Sequence, residues 1–101
     1  MTRLRRRRES ALESWAVAWA LARRITASKL KDPVGIMDHV FWLPGGRPLL
    51  VEFKDPNERT DPAREELQTW YQRKFRRLGY VAVKVDTKEE FIEVMKKQGV
   101  S

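Results

Sequence analysis

The sequence predicts a small α/β domain, a mixed sheet flanked by helices in the order α-β-β-α-β-α. Three observations predict it. Two apolar runs, Ile36 to Leu43 and Leu49 to Lys54, flank the turn Pro44-Gly45-Gly46-Arg47-Pro48, which is the pattern of an antiparallel hairpin. A segment of helical periodicity opened by Asp61-Pro62 then leads into Val81, Val83 and Val85, which alternate with the period of a strand. With 101 residues, 42% hydrophobic and 35% charged, the chain has the size for one core and too much apolar content for a disordered coil.

Residues 1–8 carry arginine at positions 3, 5, 6, 7 and 8. Repulsion among them predicts an extended, mobile arm unless an anion orders it. From about Glu9 to Ala27 the sequence reads as a helix, with Trp15 and Trp19 four apart on one face. Apolar residues run almost all round it, so it is expected to be covered on more than one side, the second cover being another subunit. Asp32-Pro33 and Gly35 break the chain. After the hairpin, Asp55 to Arg59 reads as a polar loop. Asp61 is placed to cap the next helix, with Pro62 at its first position. Leu67, Trp70, Tyr71, Phe75 and Leu78 follow at three- and four-residue spacing, and Gly79 ends the helix. Thr87 with Glu90 forms a capping box for a last helix bearing Phe91, Ile92, Val94 and Met95. The unit from Leu49 to Val85 is expected to be a right-handed parallel crossover. There is no internal repeat and no low-complexity linker.

The formal net charge is +7 and the pI about 10.1, which favours an anionic partner, nucleic acid first and an anionic membrane second. A membrane-surface protein needs a helix with a clean apolar face opposed by a lysine-rich one; the first helix is too uniformly apolar for that. Absence of cysteine excludes thiolate catalysis, disulfides and cysteine-ligated zinc. A single histidine, His39, excludes a multi-histidine zinc site within one chain. No run approaches the roughly 20 apolar residues of a membrane span. Trp15 to Ala22 follows basic residues as in a signal peptide, but Arg23-Arg24 follows it and no small-residue cleavage pattern appears. The expectation is a cytoplasmic protein.

The chemistry concentrates in Glu52-Phe53-Lys54. Side chains two apart on a strand share a face, so a carboxylate and an ammonium sit side by side, and Asp38 in the preceding strand can bring a second carboxylate. Two carboxylates can hold a hard divalent cation and orient a water beside it. By itself Glu-x-Lys is most often a surface ion pair, and a glutamine such as Gln68 an ordinary helix-surface residue. His39 points away from Asp38 across the strand, which fits a buried or partner-contacting histidine better than a catalytic one. Arg73, Lys74, Arg76 and Arg77 complement the dipole at the end of their helix; with the arginine arm they also form a track for phosphates.

Gly35-Ile36-Met37-Asp38, Glu52-Phe53-Lys54, Gln68 and the exit Leu78-Gly79-Tyr80 into a valine-rich strand together resemble the VRR-NUC family of the PD-(D/E)XK nucleases, over about residues 9–95. Met37 stands where that family usually has proline, a change of loop stiffness more than of chemistry. The resemblance implies a restriction-endonuclease-like fold, with a basic flexible arm at 1–8 and the nuclease domain at 9–98. It implies a DNA endonuclease dependent on Mg2+, with Mn2+ as substitute, whose catalytic residues are Asp38, Glu52, Lys54, Gln68 and Glu13. Asp38, Glu52, the Phe53 carbonyl and Glu13 would hold the metal, Asp38 bridging if two ions bind. Lys54 would orient the attacking water and offset charge on the phosphorane, and Gln68 would hydrogen-bond near it. Glu13 takes the family's helical carboxylate by its spacing to Lys29 and Gly35. Ser10-Ala11-Leu12-Glu13 also reads as a capping box, and Glu9 is the alternative one turn earlier. Arg5, Arg6, Arg7, Arg8, Lys29, Lys31, Arg73, Arg76 and Arg77 would contact nucleic acid. Stand-alone phage and bacterial members act as homodimers on four-way (Holliday) junctions, so branched DNA and a second copy are the implied partners. The competing reading is a catalytically inactive nuclease-fold DNA-binding protein, whose mark would be a broken acidic cluster; Asp38, Glu52 and Lys54 are all present.

Overall fold

Among the described residues the chain forms α1 (Thr2–Leu21), β1 (Thr26–Lys29), β2 (His39–Leu43), β3 (Arg47–Phe53), α2 (Pro62–Arg77), β4 (Val81–Val85) and α3 (Lys88–Lys97). The computed structural model describes residues 2–30, 38–54 and 61–101, with side chains from Ala11 onward. Lys31, the Gly35 turn with Met37, and the loop expected at 55–59 lie outside the described residues. The strands form one sheet in the order β1-β2-β3-β4. β2 and β3 pair antiparallel from His39↔Val51 to Leu43↔Arg47, across a turn in which Gly45 and Gly46 take φ of 82° and 71°. That left-handed backbone suits glycine, which lacks a Cβ. β3 and β4 pair parallel, with Glu52 opposite Lys84. The expected hairpin and parallel crossover are both present.

The element order gains a strand, becoming α-β-β-β-α-β-α. α1 ends at Leu21, short of the expected Ala27. Arg24 enters the left-handed region at φ 63°, and the Ile25 N–H reaches back to the Ala20 carbonyl at 2.9 Å. Ile25 is thereby buried, and Thr26–Lys29 is free to pair antiparallel with β2. The Trp42 Nε1–H bond to Ser28 Oγ, 2.9 Å, ties the two strands from the side. At its other end α1 begins at Thr2. The backbone of the arginine stretch, expected to be extended, is thus helical, and Ser10 is interior to the helix, not its cap. Arginine is a good helix former, and a helix already nucleated on a core extends one hydrogen bond per residue.

α1 and α3 cover one face of the sheet. Phe41, Leu43, Leu49, Val51, Phe53 and Val85 meet Leu12, Ala16 and Ala20 of α1 and Phe91 and Met95 of α3. Trp15 and Trp19 meet Phe91 edge-on, with centroids 5.9 and 5.6 Å apart. α3 of the same chain therefore supplies the second cover of α1 that the sequence assigned to another subunit. α3 starts where expected: Thr87 Oγ1 accepts the Glu90 N–H at 3.1 Å.

α2 lies on the opposite face, where, among the described residues, Val40, Leu50 and Ala82 with Phe75 make a small apolar contact. Asp61 caps it, accepting the Ala63 N–H at 3.3 Å. Its buried residues are Gln68 and Gln72, whereas Leu67, Trp70 and Leu78 stay 37, 50 and 64% exposed. The apolar spacing sets the helix but does not choose its inward face. The sheet offers Glu52 and Lys54 there, and buried charges need polar partners. Among the described residues no helix is long and apolar enough to cross a membrane.

Candidate active site

Alternation along β3 sends Leu49, Val51 and Phe53 into the α1/α3 core and leaves Leu50 and Glu52 facing α2. Glu52 is only 2% exposed. Its Oε2 accepts from Gln72 Nε2 at 3.2 Å, and its Oε1 lies 3.9 Å from Lys54 Nζ. Lys54 Nζ in turn donates to Gln68 Oε1 at 3.0 Å. Gln68 and Gln72 are one turn apart on α2, so a single helix face holds both charged groups of the Glu-x-Lys pair.

Asp38 stands just before β2 and is fixed through its backbone. Its N–H donates to the Val51 carbonyl at 3.2 Å, and its own carbonyl accepts the Leu30 N–H at 2.9 Å. Its Oδ2 accepts the Phe53 N–H at 2.7 Å. Burial raises the Asp38 pKa, against the lowering effects of the Phe53 N–H bond and of Lys54, Lys29 and Arg64. Burial also pushes Glu52 up to about 7; Lys54 opposes the shift, Asp38 adds to it, and Lys84 and Arg64 oppose it further. A buried carboxyl and a half-buried one within electrostatic reach of each other, each resisting ionisation, are characteristic of functional sites.

Glu13 and His39 meet on the other side of the sheet. His39 is buried, its Nδ1 3.9 Å from Glu13 Oε2 and without a hydrogen-bond partner among the described residues. Lys29 Nζ is 4.0 Å from the same oxygen. Glu13 is raised by burial and by repulsion from Asp38, and lowered by Lys29; His39 is lowered by burial and by Lys29. Glu13 thus feels Asp38, while its short contacts are with Lys29 and His39. A cavity of about 480 Å3 beside them is lined by these three with Ser14, Val17, Ala18 and Leu21.

Among the expected nucleic-acid contacts, Lys29, Arg73 and Arg77 are exposed. Arg76 Nε donates to the Ala82 carbonyl at 3.0 Å, which ties that guanidinium to β4. The side chains of Arg5, Arg6, Arg7 and Arg8, and all of Lys31, lie outside the described residues. Three participants escape a reading of the sequence: Gln72, Arg64 and Lys84. Gln72 follows Gln68 by one turn, so helical spacing could have found it. Lys84 reaches Glu52 only through the register of β3 with β4, and Arg64 only through the docking of α2.

Among the described residues no three acidic or histidine side chains group closely enough to hold a metal ion. By kind, however, the donors fit a hard divalent cation. The half-buried Asp38 and the buried Glu52 carboxyls repel each other, and a cation between such groups would offset both the repulsion and the desolvation.

No family model matches the chain, and no curated protein matches it. A solved structure described as a VRR_NUC domain is similar to it over 88% of this chain and 95% of that one, with a TM-score of 0.72 and 24% sequence identity. The fold is that of a VRR-NUC domain. A mixed sheet flanked by helices is common to the expected architecture and the observed one, which has four strands where three were expected. Within the VRR-NUC fold of this chain, Asp38, Glu52, Lys54, Gln68 and Gln72 gather around the α2 side of β3, and Glu13 approaches from α1.

Proposed function

We propose that this chain is a VRR-NUC nuclease: a divalent-metal-dependent DNA endonuclease that hydrolyses phosphodiester bonds, selects branched DNA such as four-way junctions, and works as a homodimer. The observation that carries the reading is Glu52, a buried carboxyl held by Gln72 and 3.9 Å from the Lys54 Nζ that Gln68 fixes, with burial raising its pKa. Asp38, Glu52, the Phe53 carbonyl and Glu13 are the groups that would hold Mg2+ or Mn2+. Such an ion, when bound, supplies a Lewis acid for the phosphate and lowers the pKa of a water.

The chain's own residues do the rest. Gln68 fixes Lys54 Nζ, which as a protonated amine donates to the attacking water and to the oxygens of the phosphorane. Gln72 holds Glu52 by one oxygen, 3.2 Å away, and fixes the orientation of its carboxyl. The Phe53 N–H performs the same service for Asp38. A positive surface with net charge +7 draws the DNA backbone in.

The test is cleavage of labelled four-way junction, flap and linear duplex with Mg2+, Mn2+ or chelator. Cutting is expected with either metal, best on the junction, and none with chelator. Asp38→Asn and Lys54→Ala should each lower the rate by at least about 100-fold while DNA binding is largely kept. Undiminished cutting by either variant contradicts these roles; a wild-type protein that binds but never cuts favours the inactive DNA-binding reading.

A further inference from the structure

α2 turns its apolar stripe outward. Leu67, Trp70 and Leu78 are exposed on it, and Lys74 Nζ sits 5.4 Å from the centre of the Trp70 ring. Trp70, Lys74, Arg77 and Leu78 line a surface hollow of about 290 Å3. Tyr71 meets the Trp70 ring edge-on at 4.9 Å and fixes it in place. Large apolar side chains grouped on one exposed face mark an interaction surface. Leu21 and Trp42 are exposed elsewhere, but among the described residues α2 is the element that groups three such side chains, whereas α3 covers Trp15 and Trp19 of α1.

The charges along this stripe identify the partner. The first half of α2 carries Arg64, Glu65 and Glu66, of which Glu66 lies on the outward stripe, and its second half Arg73, Lys74, Arg76 and Arg77. A second copy of α2 laid antiparallel, with the two-fold axis at Trp70, sets residues equally far from Trp70 against each other. Glu66, four before, then faces the partner's Lys74, four after. Trp70 meets its own copy at the axis, and Leu67 enters the hollow lined by Trp70, Lys74, Arg77 and Leu78, as a knob enters a hole between helical ridges. A parallel arrangement would put Lys74 on Lys74 and Glu66 on Glu66, which is repulsive.

We propose that the outward stripe Glu66–Leu67–Trp70–Lys74–Leu78 of α2 is a homodimer interface, formed by antiparallel packing against the same stripe of a second copy. The proposal rests on the homodimer stated under Proposed function and assigns its surface. Gln68 and Gln72, on the inward side of the same helix, hold Lys54 and Glu52. The interface therefore fixes the two candidate sites at one distance and in opposite directions, as two cuts related by symmetry require.

The experiment is sedimentation velocity of the full chain in chelator without DNA, over the accessible concentration range. It compares wild type, Glu66→Lys, Lys74→Glu, the double swap and Trp70→Ala, with thermal melts to check folding. A two-fold axis makes each ion pair occur twice, so either single reversal is expected to weaken the dimer by roughly 10-fold or more. The double swap should restore it, and Trp70→Ala should give monomer. A wild-type dimer that neither reversal disturbs places the interface elsewhere and overturns the proposal, leaving the dimer reading intact. A wild type that is monomeric throughout overturns both. In that case loss of oligonucleotide binding by Trp70→Ala would make the stripe a nucleic-acid surface.

Discussion

Glu52 is where sequence, burial and chemistry meet in one residue. Its place on β3 sends the carboxyl under α2, and burial raises its pKa from 4.5 to about 7. The sign of the resulting pH dependence follows from linkage. Below about pH 4.5 Glu52 is neutral folded or unfolded, and the fold loses nothing. Between there and about pH 7 the unfolded chain releases the proton while the folded one keeps it, so stability falls as pH rises and levels off above. Glu52→Gln, neutral at every pH, escapes that loss. In chelator, melting curves from pH 4 to pH 8 should show wild type losing on the order of 3 kcal/mol relative to the variant. Added Mg2+ should shrink the gap, because a bound cation stabilises the ionised carboxyl. Parallel profiles for the two proteins would show that Glu52 titrates normally. The side-by-side Glu52–Lys54 pair, with Asp38 on the preceding segment, was legible in the sequence because strand alternation constrains it locally; Gln68 was reached only through the VRR-NUC resemblance. That His39 faces away from Asp38 was legible too; that Glu13 meets it there was not, since that depends on how α1 docks.

At the scale of elements, the hairpin, the crossover and both capped helices were readable, each having its own start or stop chemistry. β1 was not. Thr26-Ala27-Ser28-Lys29 is short and only partly buried, and its strand character comes from pairing with β2. The switch that creates it is Arg24 at φ 63°, where a side chain costs about 1–2 kcal/mol that glycine avoids. Arg24→Gly is therefore expected to raise stability by roughly 0.5–1 kcal/mol, the added freedom of the unfolded chain offsetting part of the relief. Arg24→Val should lower it, since a β-branched residue is poorly accommodated there. Urea unfolding checks both; a stabilised valine variant would contradict the left-handed turn. α2 teaches a related lesson. Its periodicity predicts a helix correctly, yet the side facing the sheet is the one whose glutamines satisfy Glu52 on β3 and Lys54 just beyond it.

At the scale of the molecule, a basic chain surrounds a small acidic site. Nucleic-acid binding is then expected to follow counterion release, with affinity falling linearly in log salt. Replacing Arg5, Arg6, Arg7 and Arg8 together by alanine keeps helix-forming residues in α1 while removing charge. Binding of labelled DNA should weaken, and the salt slope should flatten by up to about 0.9 for each phosphate that these arginines neutralise. An unchanged slope would remove the arginines from the interface. The central claim is narrower: the carboxyls of Asp38 and Glu52 are proposed to hold a divalent ion. Paramagnetic resonance titration of Mn2+ into the protein without DNA tests it most directly. The account predicts saturable binding by wild type and its loss in both Asp38→Asn and Glu52→Gln, with each variant folded. Equal Mn2+ binding by wild type and the two variants, or none by wild type, would contradict it.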